Sequence, residues 1–89
     1  MKIAVYPGTF DPITNGHLDI LTKATTMFDK VILALAENTG KDTLFSLEER
    51  YKLCQMSTNE MKNVEIESFS GLVVDYAQKV GAVAMVRGL

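Results

Sequence analysis

One histidine and three other polar side chains carry the chemistry that this sequence could support. His17 is the single histidine of the 89 residues, and it follows the turn-rich stretch YPGTFDPITNG. An imidazole in the first turn of a helix can donate to an anion, which the free N–H groups of that turn also attract. Thr9 offers a hydroxyl in the same loop, and Lys41 and Arg87 add fixed positive charge. Together they predict a phosphate site in which His17 is neutral, because a helix N-terminus disfavours its protonation.

Two common phosphate-binding motifs are missing from the sequence. No Gly-x-Gly-x-x-Gly follows the first apolar run. The stretch TGKDT is not a P-loop, because Leu35 stands in place of the upstream glycine and Asp42 in place of Ser or Thr. The remaining device is the start of the first helix, where Asn15 and Gly16 allow close approach of the backbone to a ligand. Any phosphate is therefore predicted to bind at this helix start.

Apolar periodicity predicts the elements that must position these side chains. The run KVILALA shows no alternation, which is typical of a strand covered on both faces. Ser46 and Glu49 form a capping box, and Gly81 stands where a helix end needs a left-handed residue. The predicted strands are 2–6, 30–36, 64–68 and 82–87. The predicted helices run from 16 to about 28, from 46 to about 58 and from about 70 to 80. Leu72 is predicted on the apolar side of the last helix.

Strands that alternate with helices predict the fold class. We expect an α/β fold with a Rossmann-like parallel sheet, strand order 3-2-1-4 and helices on both faces. Such sheets bind ligands at the carboxyl ends of their strands, where the strand order reverses. That rule would bring Thr9, His17 and Arg87 together between the first and fourth strands.

Composition excludes several classes of protein. A net charge of -2 with 22% charged residues suits one small domain and argues against a nucleic-acid binder that depends on bulk positive charge. No apolar run reaches the roughly 20 residues of a membrane span. Cys54 is the one cysteine, so neither an internal disulfide nor a zinc cluster can form, and a reducing, cytoplasmic setting is expected.

Several chemistry-bearing residues have simpler structural interpretations. Asp11 could bind magnesium, but an Asp-Pro sequence favours a turn and loop-bracing role. Cys54 lies on the inner side of a predicted helix and is expected in the core. Glu48, Glu49 and Arg50 are interpreted as capping and solvated charge, not as an acid–base pair.

The motifs of the chain resemble a known family. YPGTFDPITNGH resembles the opening motif of the nucleotidyltransferase superfamily that shares a T/H-x-G-H signature with class I aminoacyl-tRNA synthetases, and here the signature spans 14–17. With FSLEER, FSGLVVDYA and VRGL, the ordered set resembles the bacterial phosphopantetheine adenylyltransferase family over essentially the whole chain. Members of that family are considerably longer, and their last motif reads on as R-G-L-R. We therefore expect residues 1–89 to be the N-terminal portion of one domain.

This resemblance implies an activity. Family members transfer the adenylyl group of ATP to 4′-phosphopantetheine with Mg²⁺, giving dephospho-CoA and pyrophosphate in coenzyme A biosynthesis. The nucleophile is a phosphate oxygen that is anionic near neutral pH, so no general base is needed. Catalysis then depends on positioning and charge stabilisation. The full-length family members form hexamers, which implies the same for a full-length form of this protein.

The resemblance also implies roles for individual residues. The implied catalytic residues are His17, Lys41 and Arg87. The implied nucleotide contacts are Thr9, Phe10, His17, Gly88 and Leu89. The implied contacts to phosphopantetheine are Thr9, Lys41, Val73 and Arg87. No residue of the chain is implied as a direct metal ligand.

Two alternative functions stay open on the sequence. One is a related adenylyl- or cytidylyltransferase, such as a nicotinate mononucleotide enzyme, which the acceptor pocket at Leu72, Val73 and Lys41 would distinguish. The other is an inactive module that binds phosphopantetheine or CoA without chemistry. A protein that binds CoA but not ATP would favour the second alternative.

Overall fold

Strands and helices alternate along the chain in this computed structural model, which describes residues 1–37 and 43–87. The elements in order are β1 (Ile3–Gly8), α1 (Asn15–Thr25), β2 (Lys30–Ala36), α2 (Leu47–Thr58), β3 (Val64–Phe69), α3 (Val73–Lys79) and β4 (Ala84–Met85). The sheet has the order β3-β2-β1-β4, and every strand pair is parallel. The predicted α/β fold and strand order are therefore confirmed.

The second strand lies at the centre of the apolar core. Val31, Ile32, Leu33, Ala34 and Leu35 are all buried in succession. A strand whose side chains are buried on both sides needs cover on both faces of the sheet. The unbroken apolar run in the sequence thus predicted its position correctly.

Each face of the sheet packs against different helices. On one face, Leu21 of α1 and Cys54 of α2 join a buried cluster with Leu33. On the other face, Ala77 of α3 packs with Val5 and with other side chains of β1 and β2. The helices therefore cover both faces, as expected, and none of the helices within 1–37 and 43–87 is long and apolar enough to cross a bilayer.

The ends of two strands differ from the sequence prediction. β1 continues through Pro7 to Gly8, although the sequence indicated an end at 6. Proline is tolerated because β4, as far as the structure describes it, pairs with Ala4 and Val5 and not with Pro7, so the missing N–H group interrupts no pairing there. β4 itself is shorter than the predicted 82–87, since it lies at the edge of the sheet and has one partner.

Helix ends follow the local side-chain chemistry. The predicted capping box is confirmed, since Ser46 and Glu49 each accept a hydrogen bond from the other's backbone N–H. Gly81 has φ +75°, as its predicted left-handed role requires. α1 ends earlier than predicted, at Thr25, where threonine hydroxyls donate to backbone carbonyls of the last turn. The prediction for Leu72 was wrong, because it is the exposed N-cap of α3.

Candidate functional site

A capping box joins His17 to the start of α1. Thr14 is the N-cap, and its hydroxyl accepts from the backbone N–H of His17 at 3.3 Å. In return, the Thr14 backbone N–H donates to Nδ1 of His17 at 3.0 Å. This box was not predicted from the sequence, because the residue three positions after the N-cap is normally Glu or Gln. Here an imidazole nitrogen supplies the acceptor instead.

The capping box determines which nitrogen of His17 carries the proton. A backbone N–H can only donate, so Nδ1 must accept and the neutral ring carries its hydrogen on Nε2. Burial lowers the pKa of His17 below its ordinary value. The neutral, donating imidazole expected from the sequence is thus supported, and burial is a cause of the lowered pKa that the sequence did not predict.

An aromatic cluster supports the imidazole. The ring of Phe10 meets the ring of His17 edge to face, with 4.9 Å between centroids and 75° between planes. Tyr6 lies 5.3 Å from Phe10 and 6.4 Å from His17 by the same measure. Phe10 is only 3% exposed. Its ring crowds the position of a side chain at Gly8, where an added Cβ would lie 3.0 Å from two ring carbons.

A cavity opens beside this cluster at the carboxyl end of β1. It has a volume of about 320 Å³. Its lining residues come from β1, from the loop that follows it and from the first turns of α1: Tyr6, Pro7, Gly8, Phe10, Thr14, Gly16, His17 and Ile20. An added Cβ on Gly16 would meet only the Thr14 hydroxyl, at an ordinary 3.6 Å. Internal packing therefore does not require glycine there, which leaves approach of a ligand as a reason for it.

A buried arginine ties together the ends of two strands. Arg50, in α2, is 2% exposed, and its Nη1 donates to the carbonyls of Thr9 at 2.9 Å and of Ala36 at 3.1 Å. The prediction that Arg50 is solvated charge was therefore wrong. A signal was present in the sequence, because Arg50 precedes the core residue Cys54 by four positions and so shares its helix face.

Asp11 braces the loop after β1 against the segment that leads into α2. Its two carboxylate oxygens accept from the backbone N–H groups of Leu44, at 2.6 Å, and Phe45, at 2.8 Å. The loop-bracing interpretation is confirmed, although the brace reaches across to a distant segment rather than closing a local turn. Both oxygens have protein partners in this arrangement.

The structure places the other predicted site residues after the carboxyl ends of three strands. Thr9 follows β1, and Arg87, which is exposed, follows the neighbouring strand β4. Val73 is half-buried and begins α3 after β3, which is two strands from β1 and so about 10 Å away. Phe10 packs against His17 and lines the cavity. The remaining predicted residues, Lys41, Gly88 and Leu89, lie outside the described residues.

One buried group of this region, the hydroxyl of Tyr6, was not predicted from the sequence. Tyr6 lines the cavity, and its hydroxyl is buried without a hydrogen-bond partner among residues 1–37 and 43–87. Burial raises its pKa. Cys54 lies in the core as expected, and burial raises its pKa to about 11, with the Arg50 charge acting in the opposite direction.

Comparison with known proteins gives matches over nearly the whole chain. The cytidylyltransferase-like family matches residues 5–89. A Moorella thermoacetica protein named phosphopantetheine adenylyltransferase is 57% identical over 89 residues, which are 100% of this chain and 56% of that relative. A Desulfitobacterium hafniense protein of the same name is 56% identical over 89 residues, again 100% of this chain, and the match covers 55% of that protein. The chain thus spans about half the length of these curated relatives.

Solved structures share the fold at lower identity. A bifunctional NMN adenylyltransferase/ADP ribose pyrophosphatase from Francisella tularensis matches with a TM-score of 0.68 at 23% identity. The match covers 89% of this chain and 24% of the other. At that identity the likeness supports the fold alone.

Proposed function

This chain belongs to the cytidylyltransferase-like family, and on that premise we propose that it forms part of an enzyme that transfers the adenylyl group of ATP to 4′-phosphopantetheine. The products are dephospho-CoA and pyrophosphate, and the step belongs to coenzyme A biosynthesis. The shared name of the two curated relatives supports phosphopantetheine as the acceptor.

The observation that carries the proposal is a neutral imidazole fixed at a helix start beside an open cavity. Nδ1 of His17 is held by the Thr14 N–H, so Nε2–H is the donor available to a phosphate oxygen. The first N–H groups of α1 add partial positive charge at the same place. These donors suit the negative charge that spreads over phosphate oxygens during adenylyl transfer.

The reaction needs positioning rather than proton abstraction. A phosphate oxygen of phosphopantetheine bonds to the α-phosphorus of ATP, and the bond to the β-phosphate breaks, so that pyrophosphate leaves with the electron pair. We assign the hydroxyl of Thr9 to the incoming phosphate and the charges of Lys41 and Arg87 to the phosphates of both substrates. The remaining proposed contacts are Phe10, Gly88 and Leu89 to the nucleotide and Val73 to the pantetheine chain.

Magnesium is proposed to enter with ATP as part of the substrate. Within residues 1–37 and 43–87, no group of three His, Cys, Asp or Glu side chains could hold a metal ion. The carboxylate of Asp11 is engaged by two backbone N–H groups, which fits a structural brace better than a metal ligand. Mg²⁺ commonly binds substrate phosphates and keeps several waters.

The proposal extends to the setting and assembly of the protein. We place the activity in the cytoplasm, where the buried free thiol of Cys54 would stay reduced. We propose a homo-hexamer for a full-length form.

Calorimetric titration with phosphopantetheine, and then with ATP and magnesium, tests the proposed function. We expect both ligands to bind, and dephospho-CoA to form in a coupled assay.

Gly16→Ala separates binding from folding, because alanine should leave stability unchanged or raise it by up to about 1 kcal/mol. The added methyl group would stand between the helix N–H groups and a phosphate, so ATP binding should weaken roughly tenfold or more.

Asp19→Ala is the matched control for Gly16→Ala. Asp19 lies on the same helix and is exposed, and its ion-pair partner among the described residues is Lys23, at 3.8 Å. ATP binding should therefore be unchanged in this variant. Binding of CoA without ATP would contradict the transferase proposal and favour an inactive binding module. Preference for nicotinate mononucleotide as acceptor would contradict the assigned substrate.

A further inference from the structure

Arg50 occupies a position that is costly for a charged side chain. It is 2% exposed, and its Nε is buried without a hydrogen-bond partner among the described residues. The ion pairs among the described residues, Lys23–Asp19 and Lys30–Glu65, do not involve Arg50. A buried cation that is stabilised mainly by carbonyl dipoles contributes little net stability. The contribution of Arg50 is therefore geometric: it fixes the two carbonyls that it binds.

The two carbonyls that Arg50 binds mark where the chain leaves the sheet. The register pairs Gly8 with Leu35, and this is the last pair between β1 and β2. The carbonyls of Thr9 and Ala36 follow directly after that pair, and one guanidinium nitrogen bridges them. Arg50 thus fixes the path of the backbone at the first residue of the candidate site.

The next residue depends on that fixed path. Phe10 has φ +51°, a left-handed conformation that costs free energy for a residue with a side chain. Surrounding contacts must hold it there, and the bond from Arg50 to the preceding carbonyl is one of them. The ring of Phe10 in turn packs against His17 with 4.9 Å between centroids. A continuous series of contacts therefore runs from Arg50 through Thr9 and Phe10 to the imidazole.

We infer that Arg50 is a positioning residue, which holds the Thr9–Phe10 peptide and, through it, the ring of His17 in the orientation that the nucleotide site requires. This inference rests on the proposed function for the identity of the ligand. It does not rest on it for the orientation of His17, which can be measured without any ligand. Arg50 touches neither substrate and acts only through the loop that it holds.

Nuclear magnetic resonance of the imidazole tests this inference, because His17 is the only histidine of the chain. The ring ¹⁵N shifts report the tautomer, and a pH titration of those shifts reports the pKa. Arg50→Met removes both bonds while filling much of the same volume, and Arg50→Lys retains a charge that can reach one carbonyl. Thr58→Val is the control, since Thr58 is 5% exposed on the same helix and its hydroxyl donates only to the Cys54 carbonyl, at 2.8 Å.

We expect Arg50→Met to raise the His17 pKa toward its ordinary value, because the imidazole loses its packing against Phe10 and becomes more exposed. The tautomer should persist, since the Thr14 N–H still donates to Nδ1. Arg50→Lys should raise the His17 pKa in the same direction but by a smaller amount. Thr58→Val should lower the unfolding midpoint without changing the imidazole signals. If either Arg50 variant folds with wild-type imidazole signals, the inference is overturned. If Arg50→Met does not fold, the smaller shifts of Arg50→Lys decide the question.

A ligand measurement separates this inference from the proposed function. In titrations with ATP and magnesium, Arg50→Lys should bind roughly tenfold more weakly than wild type, since preorganisation is reduced. Thr58→Val should bind as wild type does. If wild type itself fails to bind ATP while the imidazole shifts follow Arg50, the proposed function fails and the positioning role stands. If ATP binds equally to wild type and to Arg50→Lys, the positioning role fails instead.

Discussion

The imidazole of His17 uses its two nitrogens for different purposes. Nδ1 accepts the backbone N–H of Thr14 and so helps to begin a helix. Nε2 carries the ring hydrogen and is the donor that we propose for a phosphate oxygen. A side chain that already has one structural partner loses less rotational freedom when a ligand arrives. The arrangement therefore fixes a hydrogen-bond donor before substrate binding.

Protonation of His17 should weaken the fold over a defined range of pH. Its pKa is lowered in the folded protein, by burial, from the ordinary value of 6.5. Between these two values the unfolded chain binds more protons than the folded protein. The contribution of neutral His17 to the free energy of unfolding is therefore fully present above about pH 7, and it is lost as the pH falls through 6.5 toward the folded-state pKa. We expect the urea midpoint of wild type to be lower at about pH 5.5 than at about pH 7.5.

His17→Gln provides the comparison for that measurement. Glutamine at this position can still accept from the Thr14 N–H, as in an ordinary capping box, but it does not titrate. Its urea midpoint should change less over the same pH range. His17→Ala should cost about 1 kcal/mol more than His17→Gln, because it also removes the cap. Equal pH dependence in wild type and His17→Gln would contradict the assignment to His17.

The sequence predicted some single-residue roles and missed others for a physical reason. The burial of Cys54 was predicted from its helix face, and the bracing role of Asp11 from its place before a proline, although its partners lie in a distant segment. The capping role of His17 was missed because an imidazole is not the usual acceptor of a capping box. Arg50 was missed because its partners are carbonyls from two other segments. Which backbone groups a buried guanidinium meets depends on the packed structure, and helix periodicity gives only the direction in which it points.

At the scale of elements, the loop after β1 is held by the start of α2. Asp11 accepts from two N–H groups just before that helix, and Arg50 donates from within it to the Thr9 carbonyl. Both contacts join the same two segments, and in both the donor belongs to the α2 side and the acceptor to the loop after β1. Apolar periodicity predicted the existence and type of every element, but their ends depended on such cross-loop bonds and on strand pairing. That is why β1 and β4 were misjudged at their ends.

Asp11→Ala should loosen this connection. Two hydrogen bonds to a carboxylate would be lost, so we expect the free energy of unfolding to fall by about 1–3 kcal/mol. Amide exchange should accelerate at Leu44 and Phe45, whose N–H groups lose their acceptor. Hydrogen exchange followed residue by residue would measure both effects.

Asp29→Ala is the matched control for that experiment. Its carboxylate also accepts a backbone N–H, that of Lys2 at 2.5 Å, but at the opposite end of the sheet. This variant should alter exchange at Lys2 and leave Leu44 unchanged. Unaltered exchange at Leu44 and Phe45 in Asp11→Ala would contradict the brace.

At the scale of the whole molecule, the two faces of the sheet are covered unequally. Among residues 1–37 and 43–87, the face under α1 and α2 has a cluster of eight buried residues, whereas the face under α3 has a cluster of four. Apolar side chains near the edge strand are exposed as well, with Val83 at 63% and Met85 at 41%. The better-covered face should therefore carry most of the cooperative stability. Cys54 lies within that face and can report on it.

Labelling of Cys54 should follow unfolding of the whole domain. The thiol is fully buried, and its pKa of about 11 leaves roughly one thiol in a thousand ionised at about pH 8. Alkylation of the native protein should therefore be very slow. With increasing urea, the fraction labelled in a short pulse should rise along the same curve as the loss of circular dichroism, because the thiol becomes accessible when the main core opens.

A second thiol in the same molecule makes the comparison internal. Asp19 is 73% exposed on α1, so Asp19→Cys should be alkylated at once in native buffer while Cys54 stays protected, giving a single mass increment. A second increment should appear only across the unfolding transition. Rapid double labelling of the folded protein would mean that the face under α1 and α2 opens without global unfolding. The unequal cover of the two faces would then not determine how this domain unfolds.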